Sequence, residues 1–175
     1  MKPKLIGLTG FAGSGKSTVA EHLAYEHDYH RYAFATKIKA MLGLGLGLTI
    51  EEMYGEKKTI PSARLGGKTP RYAMQTLGTE WGRQLIHPDL WCNLLMDQIR
   101  REARLLVVIE DVRFPNEQAA IKALGGDVWW IVRDITYATA THASEQGLTG
   151  CSLLHNNKDI YSLFKNVDSF LESYT

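Results

Sequence analysis

An α/β fold in three layers, built on a five-stranded and mainly parallel sheet, is what this 175-residue sequence predicts, and three observations predict it. Three short apolar runs, KLIGLT (4–9), LLVVIE (105–110) and DVWWIVR (127–133), are rich in β-branched or aromatic residues, the composition of strands buried on both faces. HRYAFA (30–35) and CSLLHN (151–156) supply two weaker strands. Helical patterns at about 15–27, 36–42, 70–85, 88–103, 115–124 and 158–173 lie between them, and strands alternating with helices mark a parallel sheet. Punctuation agrees: Pro70 and Pro88 stand where a first helical turn tolerates proline, and Gly125-Gly126 stops a helix before the fourth strand.

Length and composition allow one domain, residues 1–175, large enough to need no metal or disulfide staple. MLGLGLGLT (41–49) is too glycine-rich for a strand and reads as a hinge or loose helix end; 55–69, polar and basic, reads as a mobile loop. A net charge of +1 gives no general field for nucleic acid or an anionic membrane, so any anion must be bound locally. Cys92 and Cys151 form no CxxC pair and suit buried thiols in a reducing compartment. The chain shows no signal-peptide core and no run of the ~18 apolar residues that span a membrane, so a cytoplasmic location is expected.

GFAGSGKS, Gly10 to Ser17, satisfies G-x-x-x-x-G-K-[ST] between a predicted strand and a predicted helix, the setting that makes the pattern specific. The backbone of Gly10, Ala12, Gly13, Ser14 and Gly15 can turn N–H groups toward one anion, and the helix N-terminus adds roughly half a positive charge. Lys16 reaches β and γ phosphates, and Ser17 can ligate Mg²⁺. The fold class is therefore the P-loop NTPase fold, and a nucleoside triphosphate is the expected ligand.

What receives the phosphate must come from the rest of the chain. HNNKD (155–159) holds the letters of the guanine-reading N-K-x-D but not its spacing, and no D-x-x-G follows the third strand, which weakens a GTPase reading. On the helix 70–85, at ~100° per residue, Met74, Leu77, Trp81 and Leu85 gather on one side. Arg71, Gln75, Thr79 and Arg83 form a stripe on another, offering guanidinium groups for phosphate and an amide and hydroxyl for a base or sugar. A solvated surface face is the competing account of that stripe. Lys37, just beyond the second strand, is placed to meet an acceptor phosphate; Lys39 reads equally well as surface charge.

With these residues in place the chain resembles the bacteriophage-type deoxynucleoside monophosphate kinases, a branch of the P-loop NMP kinase-like fold. The likeness rests on GFAGSGKST, AFATKIKAML, MQTLGTEWGR, VVIEDVRFPNE and HASE (142–145), and it covers nearly the whole chain. It implies transfer of the ATP γ-phosphate to a deoxynucleoside monophosphate, with Mg²⁺ as cofactor. Lys16, Ser17 and Thr18 become donor-phosphate and metal ligands; Lys37, Gln75 and Arg113 become acceptor contacts, with Arg71, Thr79 and Arg83 beside them. The acceptor-binding insertion would span about 36–87. Arg133 introduces a segment, about 134–147, that by position is the lid; it carries no further arginine, so His142 or Lys158 shares its work, or Arg113 carries more. Glu145 of HASE falls in the same segment as an acceptor-side contact. Asn157 stands in the loop that holds adenine in this fold, or simply caps the last helix. If the chain is phage-encoded, the host cytoplasm is where it would act.

Glu110, Asp111 and Arg113 end the third strand. Arg113 is expected at the phosphates being joined, Asp111 near Mg²⁺ across from Ser17, and Glu110 is left open because alternation points it away from Asp111. Trp129 and Trp130 are both expected in the core. Two other readings stay available: a P-loop kinase for a non-nucleotide phosphorylated metabolite, and a nucleotide-dependent binding or switch protein. The apolar helices 88–103 and 158–173 suit packing on the core or on a second copy, which leaves a homodimer open.

Overall fold

The computed structural model describes residues 2–133 and 147–174. The expected lid segment with His142 and Glu145 therefore lies, up to residue 146, outside the described residues. The chain divides into two compact units, Met1–Ala33 with Met96–Thr175, and Phe34–Leu95.

The first unit holds the sheet. Its strands are β1 (Leu5–Thr9), β2 (His30–Tyr32), β3 (Val107–Ile109), β4 (Asp127–Val132) and β5 (Ser152–His155), and helices α1 (Lys16–His27), α6 (Pro115–Ala123) and α7 (Ile160–Glu172) flank them. Strand order is β2-β3-β1-β4-β5, and every pairing is parallel. All five sequence-predicted strands appear, each trimmed by a residue or more at its ends.

Layering follows from alternation along β1. Ile6 and Leu8 join Val19, Ala20 and Leu23 of α1 and Leu163, Val167 and Leu171 of α7 in one buried layer. Gly7 faces the other way, where a methyl group would lie 2.7 Å from Ile121 of α6 and 2.9 Å from Val112, so glycine is what lets α6 pack this close. The chain crosses to one side of β1 through α1 and to the other through α6. Sheet order thus reverses at β1, and ligands of such sheets bind outside the strand ends at that point.

Trp129 is fully buried, and its indole N–H donates to the Tyr174 hydroxyl (3.0 Å). Trp130 corrects the expectation that both tryptophans are core: it is half-buried, edge-on to Phe11 of the phosphate loop with ring centroids 5.8 Å apart. Adjacent strand residues point to opposite faces, so Trp130 lies on the face of Val128, which is buried beneath α6, but nearer the strand end, beside the phosphate loop. Asn157 does not cap α7; Asp159 does, its carboxylate accepting from the Ser162 N–H at 2.8 Å.

The second unit contains α2 (Ala35–Leu46), α3 (Ile50–Tyr54), α4 (Pro70–Gln75), a π-helix at Thr76–Ile86 and the start of α5 (Leu90–Glu102). The glycine-leucine segment is largely helical: α2 runs through Gly43 and Gly45 and stops at Gly47, left-handed at φ 63°. α3 was not expected, although Thr49 and Glu52 form a capping box that T-I-E-E spells out. Residues 55–69, expected as a mobile loop, fold into two 3-10 turns, and Arg64 donates to Glu52 at 2.8 Å and to the Gly47 carbonyl at 3.0 Å.

The π-helix changes the predicted faces of 70–85. Bonding to the fifth residue, as in the His87 N–H to Gly82 carbonyl contact of 3.0 Å, fits more residues into a turn, so the advance per residue drops below 100°. Trp81 and Leu85 consequently leave the apolar face on which a 100° advance places them, and they are 38% and 76% exposed. Gly78 and Gly82 are the buried positions, and Trp91 fills the space they leave. Its indole N–H donates to the Gly78 carbonyl at 2.7 Å, and a methyl group at Gly82 would fall 2.6 Å from the ring. Gly82→Ala is therefore expected to destabilise the protein by about 1–3 kcal/mol through overpacking. Thermal unfolding checks this; a melting temperature equal to wild type would remove Trp91 as the reason for the glycine.

Candidate active site

The phosphate loop leaves β1 at Thr9 and enters α1 at Lys16. Its shape depends on glycine at two points. Gly10 has φ 137° and a methyl there would sit 2.6 Å from the Ile131 carbonyl oxygen; Gly15 has φ 103° and a methyl would meet the Asn156 amide nitrogen at 2.5 Å. Both conformations and both approaches exclude a side chain. Ala12, Gly13 and Ser17 are exposed, and Thr18 is half-buried.

Asn156 is the residue that reading the sequence missed. It is buried, its side-chain amide donates to the Ser14 carbonyl (2.8 Å), and its backbone N–H donates to Val132 (2.8 Å). It pins the loop to the end of β4. Its neighbour Asn157, the expected contact, is exposed. The repeat of asparagine in HNNKD was the signal; which of the two turns inward depends on how β5 ends.

Lys16 folds back over the loop, donating to the carbonyls of Gly10 and Phe11, both at 2.8 Å. Burial first, and then the Arg113 guanidinium, push its ammonium down to about 8, while the Asp111 carboxylate pulls the other way. Lys16, Asp111 and Arg113 therefore share one electrostatic neighbourhood. Asp111 and Arg113 come from the end of β3, next to β1, and Arg133 from the end of β4 on the other side, its guanidinium 3.4 Å from the Gly13 carbonyl.

Glu110 has a separate task. Its carboxylate accepts from Arg31 at 2.7 Å, and Arg31 also reaches Glu21 at 3.2 Å. Alternation along the strand end explains the split: Glu110 meets Arg31 of β2, and Asp111 acts on the phosphate-loop lysine. A second overlooked residue, Glu117, is 2% exposed and accepts from the backbone N–H groups of Arg113 (2.6 Å) and Phe114 (3.0 Å). It caps α6 and fixes where the chain carrying Arg113 turns.

Lys37, Arg71, Gln75, Thr79 and Arg83 lie in the second unit. Lys37 is exposed on α2 beside Ile38, which packs within 3.0 Å of the position of a Gly78 methyl. Arg71, Gln75, Thr79 and Arg83 are all half-buried, and Arg83 donates to the Pro88 carbonyl at 3.2 Å. The structure thus brings Lys16, Asp111, Arg113 and Arg133 together in the first unit, with Lys37, Arg71, Gln75, Thr79 and Arg83 in the second.

A parallel sheet in this order, a phosphate loop after its central strand and charged strand ends on either side define a P-loop kinase fold. The solved structure of TT1252 from Thermus thermophilus shares it across 100% of both chains, with a TM-score of 0.57 at 18% identity. A family model described as deoxynucleotide monophosphate kinase matches residues 68–167. A protein of Acanthamoeba polyphaga mimivirus named deoxynucleotide monophosphate kinase is 34% identical, covering 97% of this chain and 96% of its own. The deoxynucleoside-5'-monophosphate kinase of Escherichia phage T5 is 28% identical over 65% of this chain and 69% of its own. The chain belongs to the deoxynucleotide monophosphate kinase family. Among the described residues, no helix is long and apolar enough to cross a membrane.

Proposed function

We propose that the protein transfers the γ-phosphate of ATP to a deoxynucleoside monophosphate, and that the four charged side chains at the sheet edge carry the transfer. An acceptor phosphate oxygen bonds to the γ-phosphorus as the bond from that phosphorus to the β–γ bridging oxygen breaks, leaving ADP and a deoxynucleoside diphosphate. The attacking oxygen is already ionised near neutral pH, so no strong base is required. What the protein must supply is alignment, positive charge and exclusion of water. The observation that carries the reading is the convergence of Lys16, Asp111, Arg113 and Arg133 around a phosphate loop in a chain of this family.

In this reading the loop from Gly10 to Thr18 holds the donor phosphates, Lys16 leaves the Gly10 and Phe11 carbonyls to contact them, and Arg113 and Arg133 neutralise charge on the group in transit. Lys37, Arg71 and Arg83 take the acceptor phosphate, and Gln75 and Thr79 its base or sugar. His142 and Glu145, outside the described residues, are assigned to the acceptor by the family resemblance alone, and Asn157 to the adenine. The donor set offered to a cation is hard oxygen, the Ser17 hydroxyl and the Asp111 carboxylate, which suits Mg²⁺. Glu110, held by Arg31, is not part of it. Bound there, Mg²⁺ would neutralise charge on the β and γ phosphate oxygens.

ATP affinity should depend on pH through Lys16. A triphosphate favours the charged ammonium, so affinity is flat below about 8 and falls as pH rises above the free-protein pKa of about 8, by up to tenfold per unit. For folding the sign is opposite: between about 8 and 10.5 the unfolded chain holds the proton that folded Lys16 has released, so this group makes stability rise with pH there. Nucleotide titrations from pH 7 to 9.5 check the first effect, and Lys16→Arg should flatten the profile.

The experiment that tests the function measures ADP release from ATP over a panel of deoxynucleoside and nucleoside monophosphates. Stimulation by one or more deoxynucleotides is expected; stimulation by none overturns the proposal.

A further inference from the structure

We propose that His22, His27 and Asp168 form a binding site for a divalent transition metal of the zinc class, fastening the later turns of α1 to α7. Among the described residues, these three side chains bring one ligating atom each within 4.8 Å of one another. Nε2 of His22 lies 2.7 Å and Nε2 of His27 lies 2.8 Å from the same oxygen, Oδ1 of Asp168. Two imidazoles and a carboxylate are a donor set of intermediate softness, suited to Zn²⁺ and unlike the all-oxygen set that Mg²⁺ takes. Three protein ligands with a water in the fourth position complete a tetrahedral ion. The inference does not depend on the kinase reading, since none of the three residues belongs to the phosphate site.

The geometry needs one adjustment that the site can make. Bonds of about 2.0–2.2 Å to a tetrahedral ion separate its ligands by roughly 3.4 Å, so each histidine–carboxylate contact must open by roughly 0.6 Å. The His22 ring is held in place: it is buried and stacked on Phe164 with centroids 4.2 Å apart and planes 7° from parallel. The side chain of Asp168 is 43% exposed and free to swing outward by that amount. His27, set 80° to His22, has its second nitrogen 3.2 Å from the Lys2 ammonium. Ligation through Nε2 places the ring proton on Nδ1 and displaces Lys2, which is exposed and loses little by moving. The imidazole protons now directed at Asp168 shift to the outer nitrogens or leave, so a neutral pair of rings binds the ion with no net charge held on them.

The test uses the full chain after chelator treatment. Calorimetric titration with ZnCl₂ should give one equivalent bound at roughly 10 µM or tighter. Substituting Co²⁺ should produce visible d–d absorption, and Zn²⁺ should raise the melting temperature. His27→Ala and Asp168→Asn should each weaken binding at least tenfold and abolish both the Co²⁺ bands and the thermal shift, while Cys151→Ser leaves them in place. Asp168→Asn preserves side-chain size at a position that is 43% exposed, so it tests the site even if His27→Ala does not fold. No saturable binding in wild type, or equal binding in Asp168→Asn, would overturn the proposal and leave the three side chains as a hydrogen-bonded clasp.

Discussion

Lys16→Ala is expected to lower kcat by 10²–10³ or more while the melting temperature stays at or above that of wild type. Losing one preorganised positive contact to the transferring group costs about 3–4 kcal/mol of transition-state stabilisation. The fold should tolerate the change because Lys16 is a burden in the free protein: burial and the Arg113 charge already depress its ammonium to about 8. Arg113→Ala should lose activity comparably. Arg113 is exposed and its backbone N–H, bound by Glu117, survives the substitution. A chemical step measured by rapid quench, alongside thermal unfolding, separates the two effects. Normal turnover in either variant would remove that residue from the transfer.

Asp111→Asn and Glu110→Gln should give opposite outcomes although the residues are adjacent. Asp111 acts on Lys16, and Asn there should raise the Mg²⁺ concentration needed for half-maximal activity and lower kcat by about 10²-fold. Glu110 is committed to Arg31, an ion pair whose side chains are 33% and 25% exposed, so Gln should cost at most about 1 kcal/mol of stability and leave kcat within a factor of about three. Activity titrated against MgCl₂ in both variants decides the matter. Equal losses would mean that the split between the two acids is wrong.

The sheet was legible because its strands are buried on both faces, which leaves uninterrupted apolar runs such as LLVVIE; the order of its strands was not. The charged strand end was legible as chemistry but not as a division of roles. Whether Glu110 or Asp111 turns toward Lys16 depends on the partner strand, and Arg31 lies 79 positions away in sequence.

Other features escaped because they rest on pitch or on distant packing. A pitch of 100° per residue does not hold beyond Gln75, where the helix becomes a π-helix, and Trp91 rather than the helix's own periodicity determines that Gly78 and Gly82 are inside. Asn156 and Asn157 are chemically identical, and only the Asn156 N–H, donating to the Val132 carbonyl, shows which one turns toward Ser14. The cap of α7 was misplaced for a related reason: Asn157 and Asp159 are both good caps, and the helix starts late enough to use the second. Glu117 reads as an ordinary helix-surface acid until the turn at Arg113 buries it. His22, His27 and Asp168 carried no local signal at all, since the two helices that bring them together are separated by most of the chain.

The central claim is that a phosphoryl group moves from a nucleoside triphosphate to a nucleoside monophosphate on this protein. The most direct measurement uses ATP labelled in the γ-phosphate, a deoxynucleoside monophosphate and MgCl₂, with the products separated by chromatography. The label is predicted to appear in the deoxynucleoside diphosphate, in amounts equal to the ADP formed, and to vanish from that product in Lys16→Ala. Label appearing only as inorganic phosphate, with the monophosphate unchanged, would contradict the account.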